Sequence, residues 1–119
     1  MEVSRGDVVI VAFGRSADGD SGRHRPCLVV QNDVGNEHSA TTVVVPLTTE
    51  FGYERYPHEA MIRAEACGLE EAAVALCSQP TTVEIDHDVV ENLGGVPEET
   101  MLDVDRALEY SLDLGGPLE

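Results

Sequence analysis

Lysine is absent from this chain. All seven basic residues are arginines, and they face 23 Asp and Glu, for a formal net charge of −16. Without a lysine, the Gly-rich stretch Gly14 to Gly22 cannot end in the Gly-Lys-Ser/Thr of a nucleotide-binding P-loop. No apolar run exceeds six residues, which excludes a membrane span or the core of a signal peptide, so the chain reads as cytoplasmic. Three cysteines (Cys27, Cys67 and Cys77) lack CxxC spacing and read as small hydrophobes in a reducing compartment, neither disulfide nor metal ligands. Internal repeats, linkers and low-complexity segments are also missing. With 119 residues, residues 1–119 read as one domain, able to bury roughly two-thirds of its unfolded surface.

The acidity is not that of a disordered tail, because 42% of the residues are hydrophobic. A folded surface so acidic repels itself at low salt, a lever that halophilic proteins use. At molar salt the Debye length falls to about 3 Å and the repulsion is largely screened. The composition therefore points to a salty cytoplasm. The charge is unevenly spread. Residues 1–25 carry four arginines against four acids, whereas the remainder carries three against 19. A groove built from the first segment is then a local exception on an anionic body; arginines scattered among neighbouring acids are the plainer alternative.

Asp7 to Phe13 is a continuous apolar, β-branched run, the pattern of a strand buried on both faces. Gly14 to Gly22 is a polar loop suited to cover a substrate. Arg25 to Gln31 reads as a second strand, Asn32 to Ala40 as a turn and Thr41 to Thr48 as a third strand. Pro46 removes a ladder donor near that strand's end. A long loop over Glu50 to Pro57 carries Tyr53, Arg55 and Tyr56. His58 to Arg63 and Ala72 to Cys77 read as strands four and five, the latter extended by Thr81 to Ile85 beyond Pro80. Asp86 to Gly95 reads as an irregular piece. Pro97 then opens a helix with Met101, Val104, Leu108 and Leu112 on one face, stopped by Gly115-Gly116-Pro117. Five or six short strands and one closing helix predict a mainly β fold, a small and strongly bent antiparallel barrel.

Gly22-Arg23-His24-Arg25-Pro26-Cys27-Leu28-Val29-Val30-Gln31-Asn32-Asp33 carries the chemistry. Pro26 pushes Arg25 into extended geometry. An arginine held so is a guanidinium fork suited to gripping a phosphate by two hydrogen bonds. Cleaving a phosphate ester requires a nucleophile driven onto phosphorus, neutralisation of the charge that develops there, and a proton for the departing oxygen. Arg25 supplies the second but is no base. Histidine is the side-chain type suited to proton transfer near neutrality, yet strand alternation aims His24 away from Arg25. A Ser21–His24–Asp20 triad has no oxyanion hole in support. Glu84, Asp86, His87 and Asp88 form the densest ligand cluster and read as a solvated charge run, so no metal site is assigned; His38 and His58 are isolated surface residues. With aromatics at only 4%, Tyr53 and Tyr56 stand out as bases' stacking partners or as packing for their loop.

Ser4-Arg5-Gly6-Asp7-Val8-Val9, the Gly-rich loop, the Arg25-Pro26 strand with its Gln31-Asn32-Asp33 end, and Val45-Pro46-Leu47-Thr48 together resemble the MazF/PemK toxins, in order from about Ser4 to Leu114. The resemblance implies an SH3-like barrel of five to seven strands with a C-terminal helix. It implies a metal-independent, cofactor-free endoribonuclease of a toxin–antitoxin pair, a homodimer whose groove binds single-stranded RNA, and an antitoxin whose disordered tail fills that groove. By the same resemblance Arg25 and Thr48 match the catalytic Arg and Thr, and Asp20 falls where relatives carry a loop acid. Ser21, Arg23, His24, Tyr53, Tyr56 and Gln79 are expected to contact substrate. The match breaks at Ser78-Gln79-Pro80-Thr81, where relatives read acid-Gln-aliphatic-Arg. That departure keeps open a non-catalytic member acting by protein binding, as gyrase poisons of this barrel do, or by RNA binding alone.

Overall fold

The computed structural model describes residues 1–14, 23–66 and 68–115. The loop expected over the substrate, with Asp20 and Ser21, lies outside the described residues, as does Cys67. Among those described, the chain forms an antiparallel seven-stranded sheet, bent around its third strand, with a long C-terminal helix. The expected small, strongly bent β fold closed by a helix is borne out.

Strand β1 (Asp7–Phe13) pairs with β2 (Arg23–Val29), Val8 opposite Leu28 and Phe13 opposite Arg23. β2 pairs in turn with β3 (Thr41–Thr48), from Val29 opposite Val44 to Cys27 opposite Pro46. The pairing stops at Pro46, which has no N–H to continue the ladder. There β3 changes neighbours. Its first half, Thr41 to Val44, pairs with β6 (Thr81–Glu84), while Leu47 and Thr48 pair with β5 (Ala73–Leu76). β4 (Glu59–Ile62) pairs with β5 at one end of the path, and β7 (Val89–Gly95) with β1 at the other.

Three expectations need correction. Thr81 to Ile85 does not prolong β5. The chain turns after Leu76, with the Gln79 N–H on Leu76 O at 3.1 Å, and returns as β6 on another part of β3. Asp86 to Gly95 is not irregular: a short helix α2 (Ile85–Asp88) leads into β7. The alternation of β7 is broken by register shifts against β1, which hide it from a period-two reading. Asn32 to Ala40 is also more than a turn. It holds helix α1 (Asp33–His38), capped by the Asn32 side chain accepting from the Gly35 N–H at 2.8 Å.

The sheet carries an apolar cluster on each face. Val8, Leu28, Val45 and Leu47 pack with β4, β5 and helix α3 (Glu98–Leu112). Val9, Val11, Cys27, Val29 and Val44 pack with Val83, Ile85 and Val89. On α3, Val104 and Ala107 are buried, and Met101 and Leu108 pack against the first cluster. Leu112 is exposed rather than on that face, and the helix ends at Asp113 (φ 56°) before the expected glycines.

Gln31, Asn32 and Asp33 serve the fold. Gln31 Nε2 donates to Asn36 Oδ1 and Thr41 O, both at 3.0 Å, and the buried Thr42 hydroxyl donates to Asn36 Oδ1 at 2.6 Å. Asp33 Oδ1 accepts the Arg5 N–H at 2.6 Å. The Arg5 guanidinium reaches Val30 O and Asp105, at 2.8 and 2.7 Å. One arginine thus ties the N-terminal segment, the end of β2 and α3 together.

Candidate active site

Cys27 and Pro46 stand directly opposite each other, and in an antiparallel pair opposite residues share a face. Two residues further along, Arg25 on β2 and Thr48 on β3 therefore project from that same face, at the same end of the sheet. Arg23 joins them by alternation, with Phe13 of β1 opposite it. The last β2–β3 pair thus sets the positions of Arg25 and Thr48 on one face, each two residues beyond it on its own strand. His24 is opposite Ala12 and stands on the other face, as alternation within β2 dictates.

Charge marks this end of the sheet. Arg5, Arg55 and Arg106 pair with Asp105, Glu59 and Asp103. Arg23 and Arg25 make no side-chain ion pair or hydrogen bond with any described residue. In a chain with 23 acids, two such guanidiniums on one face form a cationic spot. Burial pushes the Cys27 thiol up to about 12, and the nearby Arg25 guanidinium pulls it back in part. Burial likewise raises Cys77, to about 11. Both thiols are neutral packing groups, as their apolar runs suggested.

Thr48 is held by its own turn. Its Oγ1 accepts the Glu50 N–H at 3.1 Å, and Glu50 O is 3.5 Å away. The hydroxyl donates to that Glu50 carbonyl, a long bond that a substrate oxyanion would have to replace. Gln79 sits in the turn between β5 and β6, both of which flank β3 on one side, so the turn passes beside the bend at Pro46. The Gln79 carbonyl accepts from Thr81 Oγ1 at 3.1 Å, and its side chain is exposed. Tyr53 and Tyr56 lie beyond Thr48 in the same connecting segment. Both are exposed, and Tyr56 stacks on His58 at 5.9 Å with 13° between planes.

Phe13 is not singled out by the sequence, because a terminal Phe in an apolar strand looks like core. Its position opposite Arg23, half-buried at the edge of the second cluster, makes it part of this face. The acidic run around α2 is used locally: Asp88 Oδ2 accepts the Glu84 N–H, Asp88 Oδ1 meets His87 at 2.7 Å, and Asp86 meets the N-terminus at 3.2 Å. No three His, Cys, Asp or Glu side chains among the described residues converge as metal ligands. No described helix is long and apolar enough to cross a membrane.

Comparison with known proteins shows the family and the fold. A family described as PemK-like, MazF-like toxin of type II toxin–antitoxin system matches residues 4–112. Endoribonuclease EndoA of Bacillus subtilis is 33% identical over 114 residues, covering 96% of this chain and 97% of its own. Endoribonuclease MazF of Staphylococcus epidermidis is 30% identical over 112 residues, 94% and 92% of the two chains. Among solved structures, a mycobacterial endoribonuclease in complex with its cognate antitoxin superposes with a TM-score of 0.74 at 26% identity, over 97% of this chain and 99% of that one. A MazE–MazF complex from Deinococcus radiodurans reaches 0.78 at 21% identity, over 97% and 99%, a likeness of fold.

Proposed function

This chain belongs to the PemK-like, MazF-like toxins of type II toxin–antitoxin systems, and from that premise we propose that its Arg25–Thr48 face cleaves single-stranded RNA. The chain is an endoribonuclease, as its named relatives are. What supports the assignment to this face is the β2–β3 register, Cys27 opposite Pro46, with Arg25 and Thr48 each two residues beyond, and an Arg23 equally without an acidic partner among the described residues.

The reaction is an internal transesterification. The 2′-oxygen attacks the adjacent phosphorus, the bond to the 5′-oxygen breaks, and the ends are a 2′,3′-cyclic phosphate and a 5′-hydroxyl. The proton lost by the 2′-hydroxyl goes to a base, and the departing oxygen gains one. Arg25 neutralises the charge that grows on the non-bridging oxygens, and the Thr48 hydroxyl donates a hydrogen bond to one of them. A guanidinium stays charged throughout, so the protons move elsewhere. Asp20 is our choice for the base. Ser21, Arg23 and Gln79 contact the strand, whereas His24, expected among them, stands on the opposite face and takes no part; Tyr53 and Tyr56 stack on unpaired bases, worth ~1–3 kcal/mol per base. No metal or other cofactor enters the scheme.

The partner is an antitoxin, in keeping with the neighbours solved as toxin–antitoxin complexes. We assign a homodimer in the cytoplasm of a halophile, with the RNA groove also the antitoxin's seat. On so acidic a body, apolar anchors of the antitoxin matter more than its charge.

Incubation with RNA in molar KCl and EDTA tests the assignment. Cleavage that leaves 5′-hydroxyl ends and disappears in Arg25→Ala is expected. RNA left intact by the wild-type chain would overturn it. The unusual Ser78-Gln79-Pro80-Thr81 favours the second reading, a protein- or RNA-binding member without catalysis, and intact RNA together with stalled gyrase would support its protein-binding form.

A further inference from the structure

The segment after Thr48 is braced along its length. Arg55 donates to Gly52 O at 2.6 Å and to Glu59 Oε1 at 3.0 Å, and its guanidinium lies 4.8 Å from the centre of the Phe51 ring. Glu59 Oε1 also accepts the Tyr56 N–H at 3.2 Å, and the Glu59 N–H donates to Tyr56 O at 2.9 Å. These contacts hold open a cleft of about 280 Å³ lined by Gly52, Tyr53, Glu54, Tyr56 and Glu59. Tyr53 is fully exposed (106%), leaving its ring open to a stacking partner.

We propose that this cleft is a nucleobase subsite that selects guanine. It rests on the ribonuclease reading for the presence of RNA, but its chemistry stands on these five residues. Two tyrosine rings suit a flat π-system. Glu59 is paired with Arg55, but the Glu54 carboxylate has no ion pair to any described residue and repels a phosphate, so a base enters here while the backbone follows the arginines. A carboxylate only accepts hydrogen bonds. Guanine offers two donors side by side, N1–H and the N2 amino group, matching the two carboxylate oxygens. Adenine and cytosine set one amino group beside a ring-nitrogen lone pair, and uracil sets its N–H between two carbonyls. In each of those three an acceptor faces the carboxylate.

The two acids divide the work. Glu59 holds the loop through Oε1, whereas Glu54 has no hydrogen bond or ion pair to any described residue. Glu54 is therefore the reader and Glu59, with Arg55, the brace. Such a fork discriminates by roughly 1–3 kcal/mol, or about 5- to 150-fold.

The chain has three tyrosines, Tyr53, Tyr56 and Tyr110, and Tyr110 on α3 serves as an internal control. Their ring NMR signals are followed during titration with guanosine, adenosine, cytidine and uridine 5′-monophosphates in molar KCl. Guanosine monophosphate is expected to shift Tyr53 and Tyr56, leave Tyr110 still, and bind roughly tenfold tighter than uridine monophosphate. Glu54→Gln should erase that difference with Tyr110 unchanged, and Tyr53→Ala should weaken all four. Equal response to the four nucleotides, no response, or a preference that survives Glu54→Gln overturns the subsite. Guanine-selective shifts without RNA cleavage would remove the nuclease and keep the subsite. Cleavage without such shifts would do the reverse.

Discussion

The Thr48 hydroxyl accepts the Glu50 N–H at 3.1 Å, so the side chain that faces the Arg25 end of the sheet also starts the following loop. Thr48→Ser keeps both roles and should retain activity within a few-fold. Thr48→Val keeps the shape but loses the donor and the acceptor. Removal of an oxyanion donor lowers kcat by roughly 10²–10³-fold, and loss of the turn bond should cost about 1 kcal/mol of stability. Single-turnover cleavage and urea unfolding of both variants separate the two effects.

Arg25→Lys tests the fork rather than the charge. An ammonium keeps the attraction but cannot make two parallel bonds in fixed geometry. RNA binding should persist while cleavage falls steeply. Full cleavage by the Arg25→Lys chain would mean that a bidentate grip is not what Arg25 provides.

Gly35 is required by the polar lock at the far end of β2 and β3 from the site. A Cβ there would lie 2.9 Å from Gln31 Nε2, which bridges Asn36 and Thr41. Gly35→Ala must displace Gln31 and loosen the partners of the buried Thr42 hydroxyl. Unsatisfied buried polar groups cost about 1–3 kcal/mol each, and a loss of that order is expected in urea unfolding. Cleavage by the folded fraction should be unchanged.

How much of this arrangement is legible in the sequence? β1 and β3 can be read to their ends, because β-branched runs bounded by polar turns announce themselves. The sharing of one face by Arg25 and Thr48 is not readable, since it depends on the β2–β3 register, a fact about two strands and not about either sequence. β7 escapes notice because its pairing shifts register twice and it ends in Gly94-Gly95, which looks like a stop. Gln31-Asn32-Asp33 stands out as a motif, but its task of anchoring Arg5 and capping α1 appears only when residues 28 apart in sequence meet.

Asp33 gives the fold an acid-sensitive point. The Arg5 N–H hydrogen bond, then that from Asn36, lowers its pKa below the ordinary 3.8. A carboxyl depressed in the folded state stabilises the fold above its unfolded pKa, and that contribution is lost as pH falls through the folded value. Asp33→Asn should be the less stable chain at neutral pH. The gap should shrink as pH drops below about 3.8, measured by urea midpoints across the acid range. A gap that stays constant with pH would mean that Asp33 acts only as a neutral acceptor.

Salt should act on the fold and on the site in opposite directions. The −16 body repels itself, so its thermal midpoint should climb as KCl approaches molar and the Debye length shrinks to about 3 Å. Binding of single-stranded RNA releases counterions, with a slope of roughly −0.7 in log affinity against log salt for each phosphate contact. Two contacts, at Arg23 and Arg25, give roughly −1.4, a fall of about 25-fold from 0.1 to 1 M KCl. In Arg23→Ala one contact remains, and the slope should halve to roughly −0.7, a fall of about fivefold. Cleavage at limiting RNA should therefore pass through a maximum as KCl rises, and Arg23→Ala should move that maximum to higher salt. Fluorescence anisotropy with a short labelled RNA on the Arg25→Lys background reads the slopes without cleavage. An unchanged slope in Arg23→Ala would place Arg23 off the path of the RNA backbone.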